Sequence, residues 1–215
     1  MSRLNHLLDE SIKIFETKYP KLEMKKYLLI SPFDQQLLYI SNKKIKKDYS
    51  ISTSKFGIGC KNNSFKTPTG LHLVTEKIGK DMPIYTIFQG RKPLKDNLVL
   101  QDFYKDKKMS LSHFKKYDDV ITSRILRLKG LEHGINLGDD VDSFSRYIYI
   151  HGTAHEDQIG ERASHGCIRM KNQDIIDLFD ICPLNINVLI LDNKSRLIKS
   201  VGFLIISSAF HVSTD

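Results

Sequence analysis

The sequence predicts a mainly-β domain, a sandwich or barrel-like body with few helices. Three observations carry that reading. Short segments at 26–31, 36–40, 47–53, 71–75, 124–128, 146–150 and 187–191 alternate or run apolar, and they are rich in β-branched and aromatic residues. Turn chemistry separates them at Ser31-Pro32-Phe33-Asp34, Ser41-Asn42, Thr67-Pro68-Thr69-Gly70 and Leu137-Gly138-Asp139-Asp140. Helical periodicity is confined to the start of the chain and to a run just after residue 171.

At 215 residues the chain suits one domain with its own core, and 40% apolar and 27% charged residues exclude a collagen, a rod or a largely disordered chain. Leu4, Leu7, Leu8, Ile12 and Phe15 recur at helical spacing, so residues 1–24 are expected to form an amphipathic helical extension docked on the body. Asp9, Glu10, Lys13, Glu16 and Lys18 interrupt the apolar run that a signal peptide needs. The expected location is the cytoplasm if Met1 is the natural start, and the periplasm if it is not. Lys43-Lys44-Ile45-Lys46-Lys47 reads as the polar edge of a hairpin, because lysines blunt exposed strand edges.

Residues 79–123 are weakly periodic and mix Arg91, Lys92 and Lys95 with Tyr85, Phe88, Phe103, Tyr104, Phe114 and Tyr117. An insertion of that length is expected to be a lid over a substrate groove. Further on, Asn172 is expected to cap a helix whose buried face is Ile175, Ile176, Leu178 and Phe179, with Asp174 at its positive end. Cys182-Pro183 ends it. Residues 201–210 are apolar but about half the length that spans a bilayer, and read as a final buried strand.

Lys and Arg number 33 against 25 Asp and Glu, a net charge of +8. Solubility and an anionic partner both account for that surplus. Nucleic acid is not expected, because no aromatics interleave with the densest basic run. Three cysteines, Cys60, Cys167 and Cys182, are too few and too scattered for a disulfide framework and leave at least one thiol over.

The chemistry concentrates between Arg146 and Met170, RYIYIHGTAHEDQIGERASHGCIRM. The segment 146–150 is expected to deliver His151 at a strand end, with a turn at Gly152. A loop then leads to Ser164-His165-Gly166-Cys167-Ile168-Arg169. A free thiol has a pKa near 8.5, so only a few per cent is thiolate at about pH 7. An imidazole can take the thiol proton and return it to a leaving amine, provided its other nitrogen is held by an acceptor such as the Gly152 carbonyl. Consecutive N–H groups at His165, Gly166 and Cys167 are expected to face a developing oxyanion, since Gly166 tolerates dihedrals that other residues resist.

Two other readings use the same residues. His151, His155, His165 and Cys167 are possible zinc ligands, but pairing two imidazoles through His-x-x-x-His needs a helix, and Gly152 with the polar run 154–160 favours a loop. A buried inert cysteine with satisfied histidines suits any one residue but not the cluster.

The strings Ile150-His151-Gly152-Thr153 and Ser164-His165-Gly166-Cys167-Ile168-Arg169-Met170 at this separation resemble the signature of the L,D-transpeptidase (YkuD-type) catalytic domain family. Thr67-Pro68-Thr69-Gly70 and Arg124-Ile125-Leu126-Arg127-Leu128 resemble it too. The resemblance covers about residues 25–192, leaving the helical extension 1–24 and a tail at 193–215 outside. It implies a YkuD-like β-sandwich and a cysteine enzyme without metal or other cofactor, acting on peptidoglycan stem peptides or muropeptides at the bond between an L-diamino acid and D-Ala. By position it makes Cys167 the nucleophile, His151 the base and Gly152 the orienting carbonyl. Ser164, His165 and Gly166 would shape the oxyanion pocket, and Arg169 would hold a substrate carboxylate. Without a visible export signal, hydrolysis of tetrapeptide to tripeptide during wall recycling, L,D-carboxypeptidase activity, is expected ahead of cross-linking by an L,D-transpeptidase. A module that binds peptidoglycan without catalysis is the rival of a different class.

Overall fold

Leu28, Leu29 and Ile30 stand next to one another in one segment, as do Leu37, Leu38, Tyr39 and Ile40 in the next, so neither segment has a polar face. A hairpin made of them must be covered on both sides. The structure, a computed structural model, describes residues 2–22, 24–94 and 120–192 and shows how this is met. In chain order its elements are α1 (Arg3–Lys18), β1 (Lys26–Ser31), β2 (Gln36–Ser41), β3 (Lys44–Ser52), β4 (Gly70–Ile78), β5 (Ile87–Gln89) and β6 (Lys92–Pro93). After them come β7 (Ile121–Gly130), β8 (Tyr149–Thr153), β9 (Ile168–Met170), α2 (Asn172–Ile181) and β10 (Asn187–Ile190).

The strands form one sheet in the order β4-β10-β1-β2-β3-β9-β8-β7-β5-β6, and β4 pairs with β7 as well, so the sheet closes on itself. Leu28, Ile30, Leu37, Ile51, Val74, Leu126, Ile150, Ile168 and Val188 face inward and pack with Ile175, Leu178 and Phe179 of α2. The other face of β1, β2 and β10 presents Tyr27, Leu29, Leu38, Ile40 and Leu189 to Leu7 and Phe15 of α1. Each fully buried Leu or Ile contributes about 1.5–3 kcal/mol, so α1 belongs to the folded body. Polar contacts fix its position: Ser11 and Tyr27 share a hydrogen bond of 2.7 Å, and Glu132 takes Lys18 Nζ at 2.5 Å and the Tyr19 hydroxyl at 2.8 Å. Among the described residues no helix is long and apolar enough to cross a membrane.

Among the described residues each expected strand segment contributes to a strand, with several boundaries moved. Asn42 and Lys43 adopt left-handed dihedrals (φ 51° and 55°), as a tight hairpin turn requires, and Lys44 to Lys47 open β3. The segment at 146–150 is corrected: Tyr147 is left-handed (φ 55°), β8 starts only at Tyr149, and His151 and Gly152 lie within the strand. Asn172 is corrected too. The capping position of α2 is Lys171, and Asn172 is its first helical residue with a fully buried side chain. The motif also supplies a strand of its own, β9, too short for periodicity to reveal. Of the expected lid, residues 79–94 carry β5 and β6, which extend the sheet from β7, while 95–119 lie outside the described residues. The expected strand at 201–210 lies outside them as well.

His72, on β4, is fully buried, its ring nitrogens 3.0 Å from the Gly70 carbonyl and 3.0 Å from Ser143 Oγ. Burial pushes its pKa down to about 4, and the Gly70 carbonyl and Glu132 only partly offset this. The unfolded chain therefore takes up a proton near pH 6.5 that the folded chain refuses until about pH 4. His72 favours the fold fully above that window and loses about 3 kcal/mol of that contribution as pH falls through it. Urea unfolding at pH 7 and pH 5 should show wild-type stability falling with acidification and a flatter dependence in His72→Gln. Equal pH slopes in the two proteins would refute this.

Candidate active site

β8 and β9 run parallel, with Ile150 opposite Ile168, His151 opposite Arg169 and Gly152 opposite Met170. Side chains alternate along a strand. Ile150, Ile168 and Met170 therefore enter the core, while Tyr149, His151, Cys167 and Arg169 share the opposite face. The pairing brings the two halves of the motif together across sixteen residues of sequence, making His151 and Cys167 diagonal neighbours on that face.

His151 is 1% exposed, and its Nδ1 lies 2.7 Å from the Gly152 carbonyl. A carbonyl only accepts, so Nδ1 carries the proton and Nε2 is the basic nitrogen. Cys167 is half-buried against Tyr149, Phe88 and Ile125, and its thiol donates to the Tyr147 carbonyl at 3.4 Å. The other two thiols differ. Cys182 is 1% exposed and burial pushes its pKa up to about 12, while Cys60 accepts the Thr69 N–H at 3.5 Å.

Gly152 must be glycine. A Cβ there would meet the Thr122 carbonyl at 2.6 Å and Asn172 Oδ1 at 2.9 Å. Gly152→Ala is expected to cost about 1–3 kcal/mol through overpacking and to shift the carbonyl that aims His151. Thermal melts together with kcat check this; an unchanged melting temperature would contradict the close packing.

The 163–166 turn is stitched to the loop after β3. Ser164 and Ala163 donate their N–H groups to the Thr53 carbonyl, Lys55 donates its own to the Ser164 carbonyl, and the Thr67 hydroxyl donates to the Gly166 carbonyl at 3.0 Å. Gly166 has φ +125°, a conformation that favours glycine. Its N–H donates to Ser164 Oγ at 3.2 Å, and that hydroxyl donates to the Cys167 carbonyl at 2.6 Å. The expected run of oxyanion donors is corrected accordingly: the Gly166 N–H is engaged inside the turn. His165 is half-buried between Phe56 and Phe65, with ring centroids at 5.9 and 6.2 Å.

Arg169 also departs from expectation. It is 1% exposed, and Nη1 donates to Gln158 Oε1 at 3.1 Å. That bond ties it to the 156–158 turn. His155 lies beyond the end of β8, so it shares no helix with His151. Among the described residues, no group of three or more His, Cys, Asp and Glu side chains is placed to hold a metal ion.

Sequence reasoning did not reach the contacts of three residues, because their neighbours come from distant segments. Asn172 Oδ1 accepts from Thr122 and Ser123, both at 2.6 Å, while Nδ2 donates to the Thr153 carbonyl at 2.8 Å and to Glu156 at 2.7 Å. Arg146 donates to the carbonyls of Cys60 (2.8 Å) and Lys66 (2.7 Å). Burial pushes its pKa down, opposed by its attraction to the Cys60 and Cys167 sulfurs, which places the guanidinium within electrostatic reach of both. Arg91 Nη1 donates to the Tyr149 hydroxyl at 3.2 Å.

A family profile described as the L,D-transpeptidase catalytic domain (YkuD) matches residues 25–190. The chain belongs to this family. Within it, the putative L,D-transpeptidase YqjB of Bacillus subtilis is 41% identical over 59 residues, which is 27% of this chain and 34% of YqjB. The probable L,D-transpeptidase ErfK/SrfK of Salmonella typhimurium is 49% identical over 51 residues, 24% of this chain and 16% of that relative. The matched stretch thus spans about a third or less of either relative. The solved L,D-transpeptidase of Enterococcus faecium aligns over 80% of this chain and 52% of its own, with 14% identity and a TM-score of 0.46.

Proposed function

We propose that this L,D-transpeptidase-family chain is a cysteine acyl-transfer enzyme that cleaves the bond between the L-centre of a diamino acid and D-Ala in peptidoglycan stem peptides. The observation that carries the reading is the 2.7 Å contact of His151 Nδ1 with the Gly152 carbonyl, which leaves Nε2 basic on the face that also bears Cys167. In the proposed sequence Nε2 takes the Cys167 proton, and the sulfur attacks the peptide carbonyl. The tetrahedral intermediate collapses as the imidazolium returns that proton to the leaving D-Ala amine. A thioester remains. Water, deprotonated by His151, then attacks it and releases tripeptide and the free thiol.

Hydrolysis requires only His151 and water, so L,D-carboxypeptidase activity is the base reaction we assign. Cross-linking would use the same residues and in addition a second peptide held at the thioester. The test is to incubate the protein with a disaccharide tetrapeptide, with and without an amine acceptor, and weigh the products. Tripeptide alone supports the carboxypeptidase, and exchange or dimer products assign the transpeptidase. No product under either condition, with Cys167 unlabelled by a thiol reagent at neutral pH, would overturn the enzymatic reading in favour of a binding module.

A further inference from the structure

The turn joining β5 to β6 is built on Gly90 (φ +54°) and Arg91 (φ +68°), between the paired residues Gln89 and Lys92. Two left-handed residues in a two-residue hairpin turn favour Asn, Asp or Gly. An arginine there is uncommon. Arg91 is held over the site. Nη1 donates to the Tyr149 hydroxyl at 3.2 Å, and the guanidinium carbon lies 5.4 Å from the Tyr147 ring centroid.

Those two tyrosines border the nucleophile, since Tyr149 packs with Cys167 and the Tyr147 carbonyl accepts the thiol. A second guanidinium stands behind them. Arg127 is 7% exposed, stacks on Phe144 with its guanidinium carbon 3.4 Å from the ring centroid, and lies 5.6 Å from the Tyr147 ring. Arg127 donates to Glu76 at 2.8 Å and to the Phe144 carbonyl at 3.2 Å, while its buried Nε has no hydrogen-bond partner. Glu76 pairs with Arg127 and lies within electrostatic reach of Arg91, so among the described residues these two guanidiniums share that carboxylate.

We propose that Arg91 is the specificity-determining residue for the acyl donor, binding one of its carboxylates beside Cys167 with Arg127 supplying further positive charge from behind. This rests on the stem-peptide reading and supplies the contact that buried Arg169 does not offer. The fork of a guanidinium matches a carboxylate bidentately, and a guanidinium carries further donors besides the Nη1 that meets the Tyr149 phenol. Two carboxylates qualify, the D-Ala terminus and the side-chain carboxylate of a diamino acid.

Equilibrium binding separates this inference from turnover. Full-length Cys167→Ala protein would be titrated by calorimetry with a tetrapeptide, with the same peptide amidated at D-Ala, and with one amidated at the diamino acid side chain. Arg91→Asn, which suits the left-handed turn, and Arg91→Lys would be placed in the same background. The expected result is a tenfold or greater loss of affinity for the free tetrapeptide in Arg91→Asn, as for a charge-assisted hydrogen bond, with partial recovery in Arg91→Lys. The peptide amidated at the carboxylate that Arg91 reads should bind weakly and be indifferent to Arg91→Asn. Binding unaffected by Arg91→Asn, or weakened equally for all three peptides, overturns the inference alone. A Cys167→Ala parent that binds none of the peptides overturns the substrate reading and the inference with it.

Discussion

Cys167→Ala is expected to reduce tetrapeptide cleavage by about four orders of magnitude or more, to the uncatalysed background, because covalent catalysis has no substitute for the attacking sulfur. The fold should hardly notice. Cys167 is half-buried at the edge of the Phe88, Ile125 and Tyr149 cluster, and its thiol donates to the Tyr147 carbonyl at 3.4 Å. A melting temperature within about 2 °C of wild type is expected on that basis. Full activity in the purified variant would remove the cysteine mechanism, whereas Cys60→Ala and Cys182→Ala should keep their nucleophile and their turnover.

The second large effect is one of stability. Asn172 satisfies its whole amide with four partners on three segments: Thr122 and Ser123 of β7, the Thr153 carbonyl of β8, and Glu156. Its backbone N–H also donates to Glu156, at 2.7 Å. Asn172→Ala leaves those buried groups without their partner, and each such loss costs about 1–3 kcal/mol. A total near 4 kcal/mol, or about 10 °C in melting temperature, is expected. Because Thr153 and Gly152 are anchored through this point, turnover should fall as well, through a mispositioned His151. Asn172→Asp keeps the shape but removes two donors and sets a second carboxylate against Glu156, so it should not rescue. A melting temperature within about 2 °C of wild type in Asn172→Ala would refute the clamp.

How much of this was legible in the sequence depends on how local each signal is. The strand segments announced themselves through apolar runs and turn residues, and α1 through the spacing of Leu4, Leu7, Leu8, Ile12 and Phe15. The roles inferred for His151, Gly152 and Cys167 came from thiol chemistry and from a string specific enough to suggest the family. The orienting bond from His151 to Gly152 was expected from adjacent residues, and it is present. Asn172 looked like a helix cap because capping is a local rule; its actual partners lie up to 50 residues away. Arg169 looked available because a motif carries no burial, and it is placed at 1% exposure.

The sequence by itself determined the longer elements and the identity of the sulfur and the imidazole, since periodicity, turn chemistry and residue identity are properties of neighbours along the chain. Only the tertiary structure decided which face those side chains share, which arginine is buried and which stands at the rim, and that the Gly166 N–H turns inward to Ser164. Those outcomes follow from strand register. The parallel pairing of β8 with β9 and the attachment of the β5–β6 hairpin to β7 juxtapose residues that no local pattern links.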